Sequence, residues 1–277
     1  MSSISIEQFT VKGDNKYNAS HTVNFFVIHS KKESVLIDSG FPSEESINKL
    51  NKIIKDFDIK KAIITHHHED HAGGIQTLIE NEIKIFSFND KNIHHKHPLN
   101  NEKYNYKLTK NITLFFDGFK LEILHTPGHA QGHISLLLRE DKILFSGDNV
   151  VGEGTTWIGP PDGDMLTYLN TLKYLQTLPI KKIFPGHGNN INNPQKKLES
   201  LINHRYEREE KIIEAMKKGN FSLIDITKNA YLEDNLPEYI IPFAQLTVLA
   251  HIEKLIKEEK AFPIDPQNGI YKINERQ

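Results

Sequence analysis

The chain has 277 residues, of which 38% are hydrophobic and 25% charged. This is an ordinary globular composition with room for one large domain, or one domain and a small appendage. A net charge of −2 excludes a global electrostatic pull toward nucleic acid or membrane. The absence of cysteine excludes a disulfide framework and thiolate ligands, so any metal must be held by His, Asp or Glu. No uninterrupted apolar run of about 18 residues occurs, so no membrane span is expected. The N-terminal residues resemble neither a secretory signal nor an Arg-rich transit peptide, and a cytoplasmic location is expected.

Taken in chain order, apolar–polar alternation predicts strands over 3–11 and 22–29, and a third is read over 34–40, ending in Asp38-Ser39-Gly40. Pro42-Ser43-Glu44-Glu45 opens a helix, with acids at its positive end and Ile47, Leu50, Ile53 and Ile54 on its buried face. Ala62-Ile63-Ile64 reads as a short buried strand. It leads into the polar loop Thr65-His66-His67-His68-Glu69-Asp70-His71, which Gly73-Gly74 closes before a helix begins at Ile75. In an extended segment His66, His68 and Asp70 face one way and His67 and Glu69 the other, and His71 turns in as the chain bends. Three imidazoles and a carboxylate within six residues suit zinc and its neighbours. A strand is predicted over 83–88, then a polar stretch whose His94, His95 and His97 read as a solvated loop. A hairpin follows around Asp117-Gly118, with strands over 111–116 and 119–125. Its second strand ends in Thr126-Pro127-Gly128-His129, and His125 reads as an ordinary strand histidine. Strands over 133–139 and 142–146 lead to Ser146-Gly147-Asp148. A helix over 165–178 and a strand over 181–184 lead to Pro185-Gly186-His187-Gly188. Candidate ligands thus fall at strand ends, in a mixed α/β order that fits sheets covered by helices.

Five motifs in this order resemble the metallo-β-lactamase superfamily: Asp38 in Leu-Ile-Asp-Ser-Gly, the His66/His68/Asp70/His71 loop, His129 in Thr-Pro-Gly-His, Asp148 in Ser-Gly-Asp, and His187 in Pro-Gly-His-Gly. The resemblance implies an αββα sandwich with the metal site at one edge. It implies two Zn2+ per chain, one held by His66, His68 and His129, the other by Asp70, His71 and His187, with Asp148 bridging. It makes Asp70 and Asp148 the catalytic carboxylates around a metal-bridging hydroxide, with Asp38 behind the site orienting its ligands. His133 is expected in the same supporting position. Histidine at position 68, where the di-iron flavoprotein branch has an acid, favours zinc. The missing cysteine separates the chain from the commonest class B β-lactamases. The 39-residue interval from Asp148 to His187 is too short for the inserted domain of the mRNA-processing nucleases.

From about Pro194 the pattern changes to helices over 194–218, 222–230 and 238–259 and a small β-wing at 261–273. His204-Arg205-x-x-Arg208-Glu209, His251-x-x-Lys254-Leu255-x-x-Glu258 and the run Gly152-Glu153-Gly154-Thr155-Thr156 resemble the β-lactamase-like protein 2 family. That resemblance divides the chain into a catalytic domain over 1–193 and a winged-helix-like domain over 194–277, and implies a zinc-dependent single-stranded RNA endonuclease. Arg205, Arg208 and Lys211, spaced by three, are expected to share a face and form a phosphate track. With 13 Lys/Arg against 14 Asp/Glu, residues 194–277 lack the basic surplus of a duplex binder, so no duplex DNA partner is expected. Two other functions share these motifs: a thioester hydrolase resembling glyoxalase II, acting on hydroxyacylglutathione or acyl-carrier thioesters, and a binding module with an inactive core. The expected partner is therefore single-stranded RNA or a small thioester.

Overall fold

The computed structural model describes residues 4–13, 22–88, 97–100, 102–108, 112–219 and 221–274. These form two compact units, the first made of residues up to 126 with 132–154 and 179–194, the second of 127–131, 155–178 and 195–277.

The first unit holds two sheets. One runs in chain order through β1 (Ser5–Lys12), β2 (Thr22–His29), β3 (Ser34–Ile37), β4 (Lys61–Ile64), β5 (Lys84–Phe88) and β6 (Asn105–Leu108). It is antiparallel from β1 to β3 and parallel from β3 to β6. The other is an antiparallel meander of β7 (Ile112–Phe116), β8 (Phe119–His125), β9 (Ile134–Leu138) and β10 (Ile143–Gly147), to which β11 (Lys182–Pro185) adds in parallel.

Period-two alternation divides the first sheet between two cores. Phe26, Ile28, Val35, Ile37 and Ile63 meet Leu121, Ile123, Ile134, Leu136 and Phe145 of the second sheet. Their neighbours Phe25, Val27, Leu36, Ala62 and Ile64 face the other way. There they pack against Leu50 and Ile53 of α1 (Glu44–Asp56) and Ile75 and Leu78 of α3 (Ile75–Glu80). Strand β4, with parallel neighbours on both sides, is buried on both faces, which is why its sequence is a continuous apolar run. Ser43 caps α1 by accepting from the Ser46 N–H. A short helix, α2 (Glu69–Ala72), interrupts the ligand loop.

The second unit contains α4 (Met165–Gln176), α5 (Pro194–Lys217), α6 (Leu223–Ala230), α7 (Ile241–Lys257) and the antiparallel hairpin β12 (Ala261–Asp265) and β13 (Ile270–Ile273). Its core joins Ile212 and Met216, Ile226 and Ala230, Val248, Ile252 and Leu255, and Tyr271 and Ile273. By length and composition Glu238–Lys257 could cross a membrane, but 44% of that window is buried and it supplies the unit's core. The compact division differs from the 193/194 boundary read from sequence, because α4 packs on α7 and the 127–131 loop is tied to α4. The Asp164 N–H donates to the Gly128 carbonyl at 2.8 Å, and the Thr171 hydroxyl to the Pro127 carbonyl at 2.6 Å.

Candidate metal centre

The site is built at the ends of β3, β4, β10 and β11, where the chain leaves each strand and side chains can converge without ladder constraints. Asp38, just past β3, is buried and sits at φ 62°, a conformation that Asp tolerates better than most residues. One carboxylate oxygen accepts from the Thr65 N–H at 2.7 Å. The other accepts from the Thr65 hydroxyl at 2.9 Å and from His71 Nδ1–H at 2.8 Å. With its proton directed at Asp38, the Thr65 hydroxyl accepts from His66 Nδ1–H at 3.0 Å. His187 Nδ1–H donates to the Thr22 carbonyl at 2.6 Å. This network turns Nδ1 of His66, His71 and His187 backward and leaves each Nε2 facing the front, where loss of its proton frees it to bind a metal.

In front, His71 Nε2 and His187 Nε2 lie 3.3 Å apart. Asp148 Oδ1 is 3.1 Å from the first and its Oδ2 3.1 Å from the second, and Asp70 Oδ2 is 3.2 Å from His187 Nε2. Ligand atoms of Asp70, His71, Asp148 and His187 all lie within 4.8 Å of one another. A tetrahedral zinc ion with bonds of about 2.0–2.1 Å separates its ligand atoms by roughly 3.4 Å, so the donor set fits such an ion. Beside it, His66 Nε2 and His68 Nδ1 are 3.1 Å apart, and the His66 and His71 ring centres are separated by 4.2 Å. The extended alternation expected for the loop holds through His68. From Glu69 the α2 turn, rather than an extended chain, carries Asp70 and His71.

Electrostatics separate the two groups of candidate ligands. Burial opposes charge on His187, but Asp148 and Asp70 outweigh it and push the imidazole up to about 10. His71 is likewise raised well above its ordinary value, against burial, by Asp148, Asp70 and Asp38. Asp148 is held well below the usual carboxylate range although burial opposes this, because His187 and His71 flank it. His66 is driven well below the ordinary histidine value by burial and then by His71 and His68, which keeps it in the neutral, ligating form. The Asp70–Asp148 side therefore draws positive charge, which a divalent ion supplies on coordination.

His133 is fully buried behind the site. Its Nε2 accepts the backbone N–H of Asp148 at 3.1 Å, and its Nδ1 faces the Thr126 hydroxyl at 3.0 Å and the Asn149 amide. Gly147, at φ 50°, leaves room for that ring, since a Cβ there would stand 2.5 Å from His133 Nε2. His129 belongs to the 127–131 loop of the second unit, where its Nδ1–H donates to the Trp157 carbonyl at 2.9 Å. His125 stacks on Phe88 at 4.0 Å between ring centres, as an ordinary strand histidine does. His94 and His95 lie outside the described residues, whereas His97 is half-buried with its ring edge toward His67.

The expected phosphate track is not an open face. Arg205 is 3% and Arg208 6% exposed. Arg205 donates to the Thr156 carbonyl, and Arg208 pairs with both oxygens of Asp234 at 3.0 and 3.2 Å, its guanidinium 3.6 Å from the centre of the Tyr231 ring. Lys211, more exposed, pairs with Glu233 at 3.1 Å. Two of the three cations are thus used internally. Sequence reading missed Thr65, Thr22, Asn149 and Trp157. A hydroxyl next to the first ligand is a usable signal for Thr65, but Thr22 and Trp157 act through carbonyls that every residue carries.

Residues 21–187 match the metallo-beta-lactamase superfamily. The chain belongs to that superfamily. This metallo-beta-lactamase relative is 31% identical over 249 residues to a Beta-lactamase-like protein 2 homolog from Drosophila melanogaster, covering 86% of this chain and 83% of that protein. It is 26% identical over 239 residues to an atrochrysone carboxyl ACP thioesterase from Aspergillus chevalieri, covering 82% of this chain and 74% of that protein. Among solved structures, a metallo-beta-lactamase family protein from Thermus thermophilus matches with a TM-score of 0.81 at 19% identity, over 97% of this chain and 98% of the other, which is a likeness of fold. The superfamily is hydrolytic, and the His/Asp clusters here are suited to holding metal ions.

Proposed function

We propose that the protein is a hydrolase dependent on two zinc ions and that its substrate is single-stranded RNA. The observation that carries the metal reading is the set of Nε2 atoms, fixed from behind through Nδ1 and converging with Asp148 and Asp70. Asp70, His71 and His187 would hold one ion, His66, His68 and His129 the other, and Asp148 both. When bound, the ions supply a nucleophilic hydroxide near neutral pH and polarise the group under attack. The chain's own contribution is orientation. Asp38 aligns His71 directly and His66 through Thr65, while His133 fixes the backbone of Asp148. Both carboxylates stand below their ordinary range and so act as ligands and acceptors at neutral pH.

RNA as substrate is supported by the resemblance to β-lactamase-like protein 2, which extends beyond the ligands to the His204-Arg205 and His251–Glu258 motifs. A second reading, hydrolysis of acyl-carrier thioesters, is favoured by the likeness to the Aspergillus thioesterase and by the burial of Arg205 and Arg208, which removes the expected phosphate track. The deciding experiment assays unstructured RNA, an acyl-glutathione and an acyl-carrier thioester side by side, with chelator and zinc add-back. The expected result is chelator-sensitive RNA cleavage that falls as salt rises. Rapid thioester turnover with no RNA cleavage overturns the RNA reading and promotes the second. Loss of neither activity on complete metal removal overturns both.

A further inference from the structure

Arg205 is buried on α5, yet among the described residues no carboxylate pairs with it, in contrast to Arg208 and its partner Asp234. Burying a cation without a counter-charge is costly and calls for a specific use of its hydrogen bonds. Its guanidinium lies 5.6 Å from the centre of the Tyr168 ring and donates to the Thr156 carbonyl. The next carbonyl along the chain, that of Trp157, is the acceptor for His129 Nδ1–H at 2.9 Å. Two consecutive carbonyls are therefore engaged, one by the arginine and one by the imidazole.

The rest of the second unit clasps the same loop. Gly128, at φ 138°, lies so close to α4 that a Cβ would stand 2.4 Å from Tyr168 Cα, and the carbonyls of Pro127 and Gly128 are taken by Thr171 of α4 and by its N-cap residue Asp164. The Trp157 indole N–H donates to the Phe243 carbonyl at 3.2 Å, which ties the 155–157 segment to α7 as well. The two residues before His129 are thus held by α4 and its N-cap, and the His129 ring by the carbonyl next to the one that Arg205 bonds. A ring held in this way keeps a single tautomer and aims its Nε2.

We infer that Arg205 is a positioning residue for the metal ligand His129, acting through the Thr156–Trp157 backbone. This rests on the proposed role of His129 as a ligand. It gives the His204-Arg205-x-x-Arg208 motif a use other than substrate binding.

The test uses the full chain loaded with two equivalents of zinc or cobalt. Arg205→Lys keeps the charge but loses the planar fork. Competition with a chelator is expected to show one ion bound about 10-fold or more weakly and the other unchanged, as for other residues that orient metal ligands. The visible spectrum of the cobalt form is expected to change for one site only. Arg208→Lys, which weakens the pair with Asp234, is the control: lower thermal stability, with both ions and the cobalt spectrum as in the wild type. If Arg205→Lys does not fold, Trp157→Phe decides, because it removes the indole tie to Phe243 while leaving the Trp157 carbonyl in the chain, and is expected to weaken the same ion. Folded Arg205→Lys or, failing it, Trp157→Phe with wild-type metal affinity and spectrum overturns the inference. So does an equal loss in Arg208→Lys. A wild-type protein that binds no metal at all fails the proposed function instead.

Discussion

Asp38 accepts three hydrogen bonds at a backbone conformation that few side chains adopt. Asn is the mildest replacement for the backbone, but its amide nitrogen cannot accept, so one of the donors from Thr65 and His71 loses its partner. Asp38→Asn is expected to lower metal affinity by about 10–100-fold and stability by about 1–3 kcal/mol, read by chelator competition and by denaturant unfolding. Gly186 makes a second test, because a Cβ there would stand 2.5 Å from Asp148 Oδ1 and 2.6 Å from His71 Cε1. Gly186→Ala should bind fewer than two ions per chain. Two ions at wild-type affinity would contradict the packing described. At this scale the candidate ligands Asp70, His71, Asp148 and His187 were legible because each is a titratable side chain in a loop or short turn that follows a strand. The residues that orient them through main-chain atoms left no mark in the sequence.

Helix α5 shows where element-level reading succeeds and fails. Its extent was legible from composition, but the face of its arginines was not. Spacing by three says which residues share a side, not whether that side is wet. Here Arg205 and Arg208 fall in the stripe of Leu198, Leu201, Ile212 and Ala215, all buried. Continuity with that stripe was the available signal, and charge outweighed it in the reading. His204, beside the two arginines, is lowered to about 4 by burial and by Arg205 and Arg208. Its folded value lies below the unfolded value of about 6.5, so the unfolded chain binds more protons between those limits. The resulting stability is fully present above pH 6.5 and is lost as pH falls toward 4. The expected outcome is that His204→Gln flattens the pH dependence of unfolding over that interval relative to the wild type. An unchanged slope would show that His204 is protonated in the folded protein.

For the whole molecule, most of the strands followed from alternation and turn residues, but β6, the order of strands in the sheets and the division into units did not. Contacts such as those of α4 with α7 join segments far apart in sequence, and no local pattern announces them. This changes what truncation should do. A chain ending at Asn193 keeps α4 and the 127–131 loop but removes α7 and Arg205, which pack on α4 or hold the Thr156 carbonyl. The expected product is poorly soluble, with the ion at His129 lost, as judged by sedimentation and elemental analysis. A soluble fragment with two ions would show that the first unit completes its site alone.

The tie between the start and end of the first unit sets the order in which the chain can mature. Asn24 on β2 donates to the Gly186 carbonyl through its backbone at 2.7 Å, and through its side chain to the Pro185 and Gly188 carbonyls at 3.1 and 2.8 Å. His187 returns the tie through the Thr22 carbonyl. A nascent chain can pair β1 through β6 in the order of synthesis, because neighbours in that sheet are neighbours in sequence. The last of the first unit's candidate ligands locks only when a segment more than 160 residues downstream returns to β2. Closing so long a loop is a late and slow event. Under the proposed function, zinc would therefore be captured by an already folded first sheet and would not nucleate it. In refolding, added zinc should leave the early phase unchanged and act only on the final one, which stopped-flow fluorescence with and without the ion will separate.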